Sequence, residues 1–310
     1  MFEAIDFSDW QVYDGASEGS GRSEKEWLIS SDGIIGLFKY PKIDPSVECE
    51  TTEHVSEHIA HQLGELLGVP TAKVDLGIRH GRIGSMSYLV KQPGESVVEG
   101  ISFISGKYPQ YDADTTQDKE SGLYYHFDQI LNSVQGVVPN RVWIQMMLFD
   151  FLIGNQDRHQ SNWALILSVT MTPMFSFKIS QCPLYDNGSS LCCYVTESQV
   201  DSFLGRDTTR FNSLVDSKSR SMIRIDGTKK KRPTHREVVQ HLLNNYPVTR
   251  SMAIEFVHTL DADSINRLMD QYPTTVLSAN KNALIRRYLI EKVSILTDLL
   301  KSEVSTDVNT

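Results

Sequence analysis

The stretch from Leu152 to Ile166, LIGNQDRHQSNWALI, sets Asp157, Arg158, His159 and Asn162 between an apolar run, Met146 to Ile153, and a return of apolar character at Trp163 to Leu167. A polar cluster in apolar surroundings needs a chemical reason. Phosphoryl transfer uses one carboxylate to orient a nucleophilic hydroxyl, and an amide with a second carboxylate to hold magnesium against nucleotide phosphates. Asp157 suits the first role, and Asn162 with the Asp186 of PLYDNG suits the second. His159 has no second histidine or cysteine at a matching spacing, so it reads as an orienting residue rather than a metal ligand. Asp150, inside an apolar helical run, should be paired, with His159 or the loop backbone as its expected partner.

Upstream, DGASEGSGR at Asp14 to Arg22 is rich in glycine and serine and runs into Glu26 to Ile29, the turn Ser31-Asp32-Gly33, and Ile34 to Tyr40. This predicts loop, strand, turn, strand. Glycines there would let backbone amides approach a polyphosphate, and Lys39 on the second strand could contact it as a compact cation. A helix follows, capped by Thr51 or Thr52, with Val55, Ile59, Leu63, Leu66 and Leu67 on one face and Gly68 as its stop. Glu53 and Glu57 lie one turn apart, and either could pair with Lys39. Val69 to Leu76 and Met86 to Val90, around the turn His80-Gly81-Arg82, form a second two-stranded unit. Val90-Lys91-Gln92, just before Pro93-Gly94, is where the chain would pass between lobes and offer main-chain groups to an adenine edge. Ser105 to Gly122 reads as a surface loop.

Beyond this lie helical patterns at 124–131 and 141–153, a hairpin from Trp163–Val169 and Met174–Ser180, and helical segments near 199–203, 235–244, 250–260, 262–272 and 281–300. One dense basic run, Lys229-Lys230-Lys231-Arg232, precedes the helix cap Thr234; it is a solvated loop, a docking patch for an acidic partner, or a nuclear address in a host cell. The 310 residues are 40% hydrophobic and 22% charged, ordinary for a globular protein with a sizeable core. The net charge of −9 argues against a broad, sequence-independent grip on nucleic acid. No membrane-spanning apolar run and no leader pattern are evident, so a cytoplasmic protein is the default. Cys49, Cys182, Cys192 and Cys193 lack zinc-site spacing and read as reduced thiols.

On these residues, from about Gly15 to Asn187, the chain resembles the HipA-like serine/threonine kinases, and within them the compact CtkA-like type. Gly154-Asn155-Gln156-Asp157-Arg158-His159 with Asn162 fits the family's G-N-x-D-R-H-x-x-N loop, and PLYDNG fits its magnesium-binding strand end. The resemblance implies an α+β, bilobal protein-kinase-like fold, with a small β-rich N-lobe at 1–92 and a larger, mainly helical C-lobe at 93–310. It implies ATP and magnesium as cofactors, and a protein substrate offering a Ser or Thr hydroxyl. Asp157 would orient that hydroxyl, Asn162 and Asp186 would hold magnesium, Lys39 would contact the α/β-phosphates, and Glu57 is favoured over Glu53 as its partner. Gly19, Ser20, Gly21, Arg22 and Ser23 would cover the phosphates, and Ser17, Ser20 or Ser23 would be sites of autophosphorylation. An antitoxin or other regulatory partner, and export as an effector acting in a host cell, belong to the same expectation. NQDRHQSNW also resembles the catalytic loop of phosphatidylinositol kinases, so a lipid kinase is the alternative, with a nucleotide-binding pseudokinase scaffold as the non-enzyme reading.

Overall fold

Ile35–Lys39, which alternates buried and half-buried residues, and Lys25–Ile29, which buries Leu28, are the two strands that anchor the N-terminal sheet of the computed structural model, which describes residues 1–15, 24–44, 49–171 and 175–307. The chain divides into two compact units. The first comprises Met1–Val90, Asp186–Phe211 and Leu260–Ile290; the second comprises Lys91–Tyr185, Asn212–Thr259 and Glu291–Thr310.

In the first unit a six-stranded sheet runs in the order Ile5–Asp6, Val74–Arg79, Arg82–Tyr88, Ile35–Lys39, Lys25–Ile29, Gln11–Val12. All neighbours are antiparallel except Ile5–Asp6, which lies parallel to Gly77-Ile78. Leu28, Phe38, Met86, Phe7 and Tyr40 form the core on one face, with Trp10 and Tyr88 packed against it. The turn between the two anchor strands closes through Ser30, whose hydroxyl accepts from the backbone of Asp32 and Ile34. His80 and Gly81, at φ 48° and 77°, join the second pair of strands in the left-handed conformation that a two-residue hairpin turn requires. The strand pairings at Ile5–Asp6 and Gln11–Val12 have no sequence counterpart among the expectations, because two-residue strands carry too little alternation to be read.

The helix Glu53–Leu67 buries Val55, Ile59, Leu63 and Leu67, and ends at Gly68 with φ 63°. Leu66, expected on that face, is 45% exposed. The buried set steps by four residues, and Leu66 falls about 100° around the helix from Leu67.

The second unit holds a three-stranded sheet in the order Phe175–Gln181, Ala164–Met171, Glu95–Glu99. The expected hairpin is its first pair, and Glu95–Glu99 adds along the other edge, with Leu165 opposite Val98. The stretch expected to be a surface loop is more ordered: Gly100–Lys107 is a helix, and Tyr111–Asp112 pairs with Gln117–Asp118. The helix Arg141–Ile153 is buried almost throughout from Trp143, as its apolar composition predicts. Trp143 and Trp163 meet edge to face at 4.7 Å, and the Trp163 indole donates to the buried Tyr125 hydroxyl at 2.7 Å. Thr234 caps the helix His235–Asn245 in a reciprocal box with Glu237. Among the described residues no helix is long and apolar enough to cross a membrane.

Candidate active site

On the lysine strand Phe38 turns into the core, so Lys39, the next residue, projects from the opposite face of the sheet. Its ammonium lies 2.7 Å from Asp186 Oδ1 and 3.9 Å from Glu57 Oε2. Burial works against that charge, but Asp186 and Glu57 outweigh it and hold the ammonium above its ordinary value. Glu57 is buried, and burial raises its carboxyl above the usual range against the opposing pull of Lys39. Its Oε1 accepts from the backbone of Asn187 at 2.8 Å. Glu53 is otherwise engaged, bonding Lys42 at 3.0 Å, Thr51 at 3.1 Å and the Tyr194 hydroxyl at 3.0 Å. Of the two candidate glutamates, Glu57 is the one that forms the ion pair with Lys39.

The Asp-Asn-Gly turn delivers these contacts through unusual backbone. Asp186 sits at φ 56°, a left-handed conformation that Asp tolerates better than most residues. Gly188 packs closely, and a Cβ there would come within 3.1 Å of both the Glu53 carbonyl and Glu57 Oε2. Leu191 and Cys192 are left-handed as well, at φ 49° and 60°. Such residues persist where the surroundings over-determine them. Here the buried Lys281 ammonium donates to the Cys192 carbonyl at 2.7 Å and to the Val195 carbonyl.

Lys39, Lys42, Ser85 and Asp186 line one pocket with Glu57 and His54. Two of its buried polar atoms, Ser85 Oγ and His54 Nδ1, have no hydrogen-bond partner among the described residues. A pocket holding two cations, the three carboxylates of Glu53, Glu57 and Asp186, and unpartnered polar atoms fits a hard cation with a phosphate-bearing ligand. Among the described residues no three His, Cys, Asp or Glu side chains gather as a metal cage. Oxygen ligands completed by nucleotide phosphates are the mode that suits magnesium.

The loop carrying Asp157, His159 and Asn162 belongs to the second unit. It leaves the helix Arg141–Ile153 at Gly154, which is left-handed at φ 67°. Its organiser is Arg158, which the sequence reading left without a role. The buried guanidinium bonds Asp150 Oδ1 through Nη2 at 2.7 Å and Oδ2 through Nε at 3.0 Å. Its Nη1 reaches the carbonyls of Asn162 at 2.8 Å and of Tyr185, the residue before Asp186, at 2.9 Å. Asp150 is therefore paired with Arg158, and with Asn155 at 3.2 Å, rather than with His159 or the loop backbone. A bidentate guanidinium is the stronger partner for a buried carboxylate. Burial still raises the Asp150 carboxyl, opposed by Arg158.

Asn155 Oδ1 accepts from the Asp157 amide at 3.0 Å, and Asn162 Nδ2 donates to the Asp157 carbonyl at 2.7 Å. Asn162 is thereby turned so that its amide oxygen is the atom suited to a cation. Asp157 is only partly buried. His159 Nδ1 accepts from the Ser161 amide at 3.1 Å, a local contact that shapes the loop. A second support comes from His235, whose Nε2 bonds the Asn155 carbonyl at 2.9 Å and whose Nδ1 meets Ser219 Oγ at 3.0 Å, with Lys292 donating to that hydroxyl at 2.9 Å. A carbonyl can only accept, so His235 carries its proton on Nε2. Val90 ends one segment of the first unit and Lys91 begins the second. The Gln92 main chain is turned to Glu95, its amide donating to Glu95 Oε2 at 2.8 Å and its carbonyl accepting at 3.0 Å. Gly19, Ser20, Gly21, Arg22 and Ser23, with Ser17, lie outside the described residues.

No family model matches the sequence, and no curated protein matches it. Among solved structures the chain is similar to the Helicobacter pylori proinflammatory kinase CtkA, with a TM-score of 0.78 at 16% identity over 96% of this chain and 99% of that one. The fold is that of the HipA-like kinases. HipA from the Shewanella oneidensis MR-1 toxin–antitoxin system, in complex with HipB and operator DNA, matches at a TM-score of 0.56 and 14% identity, covering 91% of this chain and 66% of HipA. The HipA-like expectation of an α+β fold, β-rich at its N-terminal end and mainly helical toward its C-terminal end, is met.

Proposed function

We propose that the chain is an ATP- and magnesium-dependent serine/threonine protein kinase of the HipA-like type, with 1–92 as its small lobe and 93–310 as its large one. The observation that carries this reading is the convergence of Lys39, Asp186 and Glu57, from three separate stretches of chain, on one another. Lys39 binds the α/β-phosphates, and Glu57 fixes Lys39. Val90, Lys91 and Gln92 border the adenine, and Gly19 to Ser23 cover the phosphates. Asp157 orients the substrate hydroxyl, in a loop that Arg158 and His159 shape. Asn162 and Asp186 would hold magnesium, which would supply positive charge against the nucleotide phosphates. Autophosphorylation in the Gly/Ser-rich loop and a regulatory partner belong to the same proposal. In a radiolabelled-ATP assay, Asp157→Asn and Asp186→Asn each lower incorporation by about a hundredfold or more. Equal labelling by wild type and both variants would defeat these roles. Labelled phosphoinositide in place of labelled protein would shift the reading to a lipid kinase.

A further inference from the structure

The run Lys229-Lys230-Lys231-Arg232 concentrates positive charge in a chain of net charge −9, and its place in the second unit is beside the catalytic loop. Arg232 Nη1 reaches the carbonyl of Gln156, the residue before Asp157, at 3.5 Å. His235, three residues further on, bonds the Asn155 carbonyl at 2.9 Å. The backbone of the run is held by more cations: Arg224 Nη2 donates to the Lys230 carbonyl at 2.9 Å, and Arg220 Nη1 to the Arg232 carbonyl at 2.7 Å. Arg224 is itself buried and lies over the Tyr124 ring at 4.7 Å. The main chain is thus fixed while the side chains of Lys229, Lys230 and Lys231 face solvent.

Gathering so many like charges costs repulsion. The nearby carboxylates offset it only in part: Asp226 stands 3.4 Å from Lys229, and Glu237 serves the cap of the following helix. The arginines bound to its carbonyls hold the loop in one shape, with the three lysine side chains presented together. An anionic ligand would use the surplus.

We propose that Lys229, Lys230 and Lys231 dock acidic side chains flanking the hydroxyl that Asp157 orients, so that the substrate is a protein segment with Asp or Glu around its Ser or Thr. This rests on the kinase reading above and names its substrate class. A peptide fits better than a nucleic acid or an anionic bilayer, because three lysines in one short loop match a short acidic segment, whereas the chain's negative balance repels an extended polyanion.

The test compares three peptides with one Ser acceptor and acidic, neutral or basic flanks, phosphorylated by wild type and by the Lys229→Glu/Lys230→Glu/Lys231→Glu variant at low and high salt. Wild type is expected to favour the acidic peptide about five- to tenfold in kcat/KM, through KM, with the preference shrinking as salt screens it. The variant is expected to reverse the order and favour the basic peptide. The milder Lys230→Ala/Lys231→Ala variant is expected to give a weaker acidic preference. Equal kcat/KM for all three peptides with wild type, or an acidic preference unchanged in both variants, would overturn the docking role while leaving the kinase reading intact. No transfer to any peptide or protein by wild type would overturn both. Loss of vesicle or oligonucleotide binding in the variants, with peptide preference unaltered, would assign the patch to those ligands instead.

Discussion

The Lys39 cluster of the first unit and the Arg158 cluster of the second are both built from a cation and carboxylates, yet they are arranged for opposite ends. Around Lys39 two carboxylates share one ammonium, and the Asp186 side chain is 48% exposed. Around Arg158 one carboxylate faces one guanidinium, with side chains 5% and 1% exposed, and the remaining donors are spent on loop carbonyls. The first arrangement keeps negative charge in surplus at an accessible edge, where a cation or phosphate can enter. The second is a closed pair that fixes geometry. The difference teaches that in this molecule the cluster at an exposed edge is left partly uncompensated, whereas the cluster that fixes loop shape is matched and buried.

Removing one side of the closed pair should produce the largest loss of stability. Arg158→Ala strands a buried Asp150, and a destabilisation of about 3–5 kcal/mol is expected in urea unfolding; a loss under 1 kcal/mol would mean that the pair does not hold the loop. Glu57→Gln should separate the clusters in the other direction. Its carboxyl is raised by burial, so losing the charge costs little, and stability is expected to stay within about 1 kcal/mol of wild type while phosphoryl transfer falls about tenfold or more. A large stability loss with activity retained would reverse the contrast.

The Lys281 ammonium that holds the left-handed turn after Asp186 lies between these cases. Lys281→Met frees two backbone carbonyls in a buried setting, and a cost of about 1–3 kcal/mol is expected by thermal or urea unfolding.

A last effect is a gradual one with pH. Burial lowers the His235 imidazole from its ordinary 6.5 to about 3. The unfolded chain therefore binds a proton that the folded chain refuses between those values, so stability present above 6.5 is lost as pH falls toward 3. Each pH unit within that window removes up to about 1.4 kcal/mol for this group. Calorimetry from pH 7.5 to 5 should show Tm falling, with a shallower decline in His235→Asn; an identical slope in the variant would show that His235 is not the group responsible.

What the residues determined by themselves is local. The period of Val55, Ile59 and Leu63 with Gly68 as a stop, the apolar run of Arg141–Ile153, the alternation around Lys39, and the spacing of Asp157 to Asn162 could all be read along the chain. So could the need of Asp150 for a partner. Tertiary structure decided which partner. Arg158 lies eight residues from Asp150 across a helix end, and only the left-handed turn at Gly154 folds it back. Glu53 and Glu57 are equivalent by spacing, and only the family resemblance favoured Glu57; the contacts that select it come from Asp186 and Asn187, more than a hundred residues away in sequence, which meet Lys39 and Glu57. His235, Lys281 and Lys292 carry no local signal at all, since a polar residue on a helix reads as solvated until the fold buries it. Periodicity reports which face of an element is apolar. It is silent on which distant backbone carbonyl that element will bring to a lysine, because chain closure over such lengths is decided by the whole packing rather than by neighbouring residues.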